Sequence, residues 1–247
     1  MLREVCTLRE WLARGPYTLV MSSGFFGFFA HAGFVSVLEQ EGLLPSRICG
    51  SSAGALVGGL VAAGLPSDRL RFELARLRRE DFWDIGPGFG LLRGRLFEKR
   101  LESLLPARSF EECRVPLAVS VFDIFALRTS VVREGALIPA LHASCAAPLL
   151  FQPVRLGNRW CADGGILDRH GLAGVGSGER VLYHHLASRP PWRRKHGPAL
   201  RWPLREGLEA VVAEGLPRLG PFRLEHGPEA LKRAAEGLRQ ALSRIVS

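Results

Sequence analysis

The chain has 247 residues, 47% of them hydrophobic, so it can bury a substantial core. Its net charge of +9 invites an anionic partner, yet the basic residues run along the whole chain without interleaved stacking aromatics, which speaks against nucleic acid. Cysteines at 6, 49, 113, 145 and 161 form no Cys-x-x-Cys pair, and there is no His-Glu-x-x-His run, so no metal or other cofactor is signalled.

In chain order, Met1 to Arg14 mixes charges with apolar residues and lacks the apolar core of a signal peptide. With no stretch long enough to span a bilayer and an odd cysteine count, the expectation is a soluble cytoplasmic protein. Tyr17 to Met21 reads as a buried strand running into the glycine-bearing loop Ser22-Ser23-Gly24-Phe25-Phe26-Gly27, a natural cradle for an anion. Phe34 to Glu41 then has helical spacing and stops at Gly42. The phenylalanines at 25, 26, 28 and 29 are read as core rather than as the lining of an acyl pocket.

A short apolar strand at 47–50 leads into Gly50-Ser51-Ser52-Ala53-Gly54, a Gly-x-Ser-x-Gly turn followed by a small-residue helix from Ala55 to Ala63. Such a turn lifts the Ser52 hydroxyl above the sheet, Gly50 and Gly54 remove β-carbons that would clash, and the first N–H groups of the helix face developing negative charge. Gly86 to Gly90 is a flexible loop and 95–105 a helix. Trp160-Cys161-Ala162-Asp163-Gly164-Gly165 ends an apolar strand on an aspartate held by a glycine turn, which suits a buried base. A strand over 181–186 and a one-faced helix over 228–245, docked on the sheet, complete one α/β domain over 1–247. Between them lies a basic stretch where Arg189, Trp192, Arg193, Arg194, Lys195 and Trp202 form the best candidate for peripheral contact with an anionic membrane surface.

Together and in this order, His31-Ala32-Gly33, the elbow around Ser52, the stretch Ala143 to Pro148 and Asp163-Gly164-Gly165 resemble the patatin-like phospholipase family, over roughly residues 17–186. The resemblance implies a three-layer α/β/α fold around a mostly parallel sheet, and a serine acyl hydrolase of lipid or carboxylic esters. By that resemblance Ser52 is the nucleophile and Asp163 its partner, a dyad without histidine. The family loop usually reads Gly-Gly-Gly-x-Arg/Lys-Gly; here Ser23 to Phe28 stand in its place and the basic residue is absent. Backbone donors survive a change of side chain, so Gly24 and Phe25 are the candidate oxyanion donors, with Ala53 beside the nucleophile. A phenylalanine resists the positive φ that such loops use.

Two alternatives follow from the residues. Ser52, Asp163 and one of His184, His185 or His226 satisfy the chain order of an α/β-hydrolase triad, but too few strands precede the elbow for that fold. The altered loop also admits a lipid-binding protein without activity, against which stands the presence of both Ser52 and Asp163. His31 is read as a packing or hydrogen-bonding residue.

Overall fold

A computed structural model describes residues 5–187 and 203–246. In chain order it comprises β1 (Cys6–Thr7), α1 (Leu8–Ala13), β2 (Thr18–Met21), α2 (Phe28–Gln40), β3 (Arg47–Ser51), α3 (Ala53–Ala62), α4 (Ser67–Ala75), β4 (Gly90–Leu92) and α5 (Arg95–Leu104). There follow β5 (Leu117–Asp123), β6 (Arg128–Val132), α6 (Leu137–Cys145), β7 (Leu149–Phe151), β8 (Val154–Leu156), β9 (Arg159–Asp163), β10 (Val181–Leu186), β11 (Leu208–Ala213), α7 (Gly227–Leu242) and β12 (Ile245–Val246). The proposed basic patch at 189–202 lies outside the described residues.

The central sheet has eight strands in the order β11-β10-β2-β3-β5-β9-β8, with β6 also paired to β5. From β11 to β5 all pairings are parallel, while β6, β8 and β9 close the far side antiparallel. Strands such as Val181–Leu186 are buried throughout, because a parallel sheet is covered on both faces and its strands read as continuous apolar runs. Alternate residues divide between the faces. Leu19, Met21, Ile48, Leu117, Val119 and Leu182 join a core to which all seven described α-helices contribute. Val20, Cys49, Ala118, Val181 and Tyr183 form a smaller cluster on the opposite face, under Leu172 and Val175 of the turn-rich segment that follows β9. The mixed α/β architecture with its mostly parallel sheet agrees with the expectation from the sequence. In the described residues the layer over the second face is built of turns rather than helices.

The last helix departs from its expected span: α7 stops at Leu242 instead of continuing to Ile245. Leu8 N–H donates to the Arg244 carbonyl at 2.8 Å, and Ile245–Val246 pair with Cys6–Thr7, so strand pairing takes over from the helix. α7 lies over α2 as well as reaching β11. At Gly33 a β-carbon would sit 2.0 Å from the Leu231 carbonyl oxygen, so the two helix backbones touch there. α2 is buried from Phe29 to Leu38, because α7, α4 and α3 pack around it while His31 and Phe34 meet His184 of the sheet.

Candidate active site

Ser52 stands between β3 and α3 with φ +53° and ψ −120°, a conformation that L-residues rarely hold. The packing around it imposes this geometry. A β-carbon on Gly54 would lie 2.1 Å from the Met21 carbonyl oxygen, and one on Gly50 would lie 2.6 Å from the Gly54 carbonyl carbon, so the turn closes only with glycine at both places.

Asp163 reaches Ser52 through strand register. On β5, Ser120 pairs with Ser51 and the next residue, Val121, pairs with Asp163, while β6 pairs with both on the opposite edge. β3 and β9 therefore meet end to end along one edge of β5, the former parallel and the latter antiparallel to it. Their carboxyl ends face one another. Ser52 Oγ donates to Asp163 Oδ2 at 2.7 Å, and Gly165 N–H donates to Oδ1 at 2.7 Å. Burial pushes the Asp163 pKa up to about 6, against the opposing pull of the hydrogen bonds from Ser52 and Gly165. The result is a carboxylate still ionised at neutral pH and more basic than a free one.

Behind Ser52 runs a polar chain that sequence reading did not single out. Ser52 N–H donates to Ser144 Oγ at 2.9 Å, and Ser144 Oγ donates to the Ser120 carbonyl at 2.7 Å. Ser120 Oγ in turn donates to Asp168 Oδ2 at 2.6 Å, and Asp168 also accepts the Leu172 and Ala173 N–H groups. Ser144 lies inside the quoted stretch Ala143 to Pro148, which was the available signal; Asp168 had no local pattern to mark it. Cys145 Sγ contacts the Ser52 carbonyl at 3.4 Å, and burial raises its thiol pKa.

The loop after β2 is pinned at its base. Ser22 N–H donates to the His184 carbonyl at 3.2 Å, Ser22 Oγ accepts Leu186 N–H at 3.0 Å, and Ser23 N–H donates to the Arg169 carbonyl at 2.8 Å. Phe26 does take a positive φ, +55°, despite its side chain. Gly24 is half-buried and Phe25 exposed beyond β2, while Ala53 opens α3, where an N–H has no intrahelical acceptor. The expectation that the phenylalanines are core holds for buried Phe29 and in part for Phe28, which packs against the main core. Phe26 and Phe28 are half-buried, and Phe25, Phe26 and Phe82 form a row of ring contacts with centroids 4.9 and 5.8 Å apart.

The histidines have other partners. His31 Nε2 donates to the Ser22 carbonyl at 2.8 Å, which leaves Nδ1 to accept from His184 Nδ1 at 2.9 Å. Burial lowers the pKa of His31 to about 4 and that of His184 well below its ordinary value, so both rings are neutral. His185 Nδ1 lies 2.7 Å from the Tyr183 hydroxyl on the other face of the sheet, and exposed His226 lies beside Glu225 before α7. Ser52 Oγ bonds Asp163 directly, in the place that a triad histidine would occupy.

Comparison with known proteins gives four findings. The family described as patatin-like phospholipase matches residues 19–174. An uncharacterized NTE family protein of Mycobacterium tuberculosis is 29% identical over 153 residues, which are 61% of this chain and 42% of that protein, so the chain spans less than half the length of this relative. An uncharacterized protein of Bacillus subtilis, YqhO, is 26% identical over 60% of this chain and 62% of its own. Among solved structures, VipD from Legionella pneumophila shares the fold with a TM-score of 0.68 at 14% identity, covering 94% of this chain and 68% of that one.

Proposed function

The chain belongs to the patatin-like phospholipase family, and from that premise we propose that it hydrolyses lipid or carboxylic esters with Ser52 as nucleophile and Asp163 as its only base. Asp163 Oδ2 takes the Ser52 proton as Oγ attacks the ester carbonyl carbon. The oxyanion is held by the N–H groups of Gly24, Phe25 and Ala53. Collapse breaks the bond to the alcohol, which leaves with the proton returned by Asp163, and the acyl group stays on Ser52. Water, deprotonated by the same carboxylate, then releases the acid. Gly165 N–H holds Oδ1, so the free lone pairs of Oδ2 stay aimed at Ser52.

One observation carries this reading: a hydroxyl on a strained turn lies 2.7 Å from a buried carboxylate of raised pKa. A fluorophosphonate probe should label Ser52, as read by peptide mass mapping. Asp163→Asn should lower ester hydrolysis at least about a hundredfold with the fold intact, whereas replacing His184, His185 or His226 should cost far less. Labelling at Ser51, or a histidine as costly as Asp163, would overturn the dyad. A folded protein that takes up no probe would be a lipid-binding protein instead.

A further inference from the structure

Among the described residues, four other than glycine hold a positive φ: Phe26 at +55°, Ser52 at +53°, Leu127 at +50° and Leu149 at +68°. Ser52 is the nucleophile proposed above. The other three are large apolar residues in a backbone region that glycine or asparagine fills at least cost. Leu127 and Leu149 are also 71% and 84% exposed, so burial does not offset that cost.

All of them lie around the dyad. β2, β3 and β5 run parallel, and their carboxyl ends carry the loop with Phe25 and Phe26, Ser52, and the turn with Phe125 and Leu127. Leu149 follows Ala146, whose carbonyl accepts the Asp163 N–H at 3.0 Å. Leu149 pairs with Gly90, which brings Phe89, 92% exposed, beside it. Phe125 is 78% exposed, and Leu167 is exposed just past the Asp163 turn. Exposed arginines 93 and 128 follow the apolar residues of β4 and Leu127 directly. An apolar rim with arginines behind it matches a lipid surface, whose acyl region takes the apolar side chains and whose headgroups take the guanidinium groups.

We propose that the loops around the dyad, with Phe25, Phe125, Leu127 and Leu167 beside the central sheet and Phe89 and Leu149 at the separate β4–β7 pair, insert shallowly into a lipid surface and set Ser52 against ester groups presented there. The proposal rests on the hydrolase reading above and names where its substrate enters.

The test exploits the backbone. Asparagine tolerates a positive φ and is polar, so Leu127→Asn with Leu149→Asn should leave the melting temperature unchanged or raised while removing two inserted side chains. Full-length Ser52→Ala protein is sedimented with phosphatidylcholine vesicles, with and without phosphatidylglycerol. It should bind both, the anionic ones more tightly, and the double substitution should weaken both by at least about tenfold. With Ser52 present, the double variant should hydrolyse a soluble short-chain ester within about twofold of the parent, and vesicle lipid at least about tenfold more slowly. Unchanged vesicle binding by the double variant overturns the proposal, as does a parent that binds no vesicle. So does a parent that self-associates through this face, seen by sedimentation velocity as a dimer that the double substitution dissolves. Failure of soluble-ester hydrolysis in the parent would instead count against the hydrolase reading alone, since vesicle binding is measured without it.

Discussion

Ser52 and Asp163 are both held in states that the rest of the fold must sustain, one by a left-handed backbone and the other by a carboxyl group taken out of water. For Asp163 the consequence can be signed. Its folded pKa, about 6, lies above that of a free aspartate, so its contribution to stability is complete below about pH 4 and is lost as pH rises through 6. At neutral pH the buried charge therefore costs on the order of 3 kcal/mol, two pH units' worth. Asp163→Asn, nearly isosteric, should raise the melting temperature at pH 7 by several degrees and much less at pH 4, as differential scanning calorimetry would register. Activity moves in the opposite sense. Hydrolysis of a soluble ester should fall as pH drops through about 6, because the protonated carboxyl group no longer accepts the serine proton. A profile flat to pH 4.5 would mean that Asp163 is not the base.

Helices and strands with a strong pattern were readable in advance: the helix at 95–105 is α5 (Arg95–Leu104), and the strands at 17–21 and 181–186 are β2 and β10. The expected extension of α7 to Ile245 failed because apolar residues at helical spacing continue past the point where Cys6 and Thr7 offer a strand partner, and that partner lies at the other end of the sequence. His184 and His185, neighbours on β10, point to opposite faces, yet both are buried, since the sheet is covered on both faces. Gly33 shows what a local pattern hides. It resembles a family motif, and its packing reason is contact with the α7 backbone, which no nearby residue announces. Gly33→Ala should therefore push α7 away from α2, lowering stability by about 1–3 kcal/mol and exposing α7 amides to hydrogen exchange before those of β2 and β3. Equal protection of α7 in the variant would show that the helices can shift at no cost.

For the protein as a body, the residues by themselves offered the site as separate pieces, and only the family resemblance paired Ser52 with Asp163. The elbow and the aspartate turn each carry a local signature, but the edge of β5 on which they meet is an ordinary apolar strand, and the supporting Ser144 and Asp168 depend on it as well. The apolar rim was unreadable for a related reason: Leu127 and Leu149 become conspicuous only once their backbone angles and exposure are known. The meeting of β3 and β9 on β5 has a bearing on how such a protein can change over generations. Ser52 and Asp163 are 111 residues apart in the chain, yet their separation in space is set by a count of paired residues along one strand. Insertions and deletions in the intervening loops leave that count untouched, so those loops are free to vary in length. A single residue gained or lost within β9 turns its side chains over and takes the Asp163 carboxylate away from Ser52 in one step. Lineages should accordingly diverge in those loops while the strands on either side keep their length.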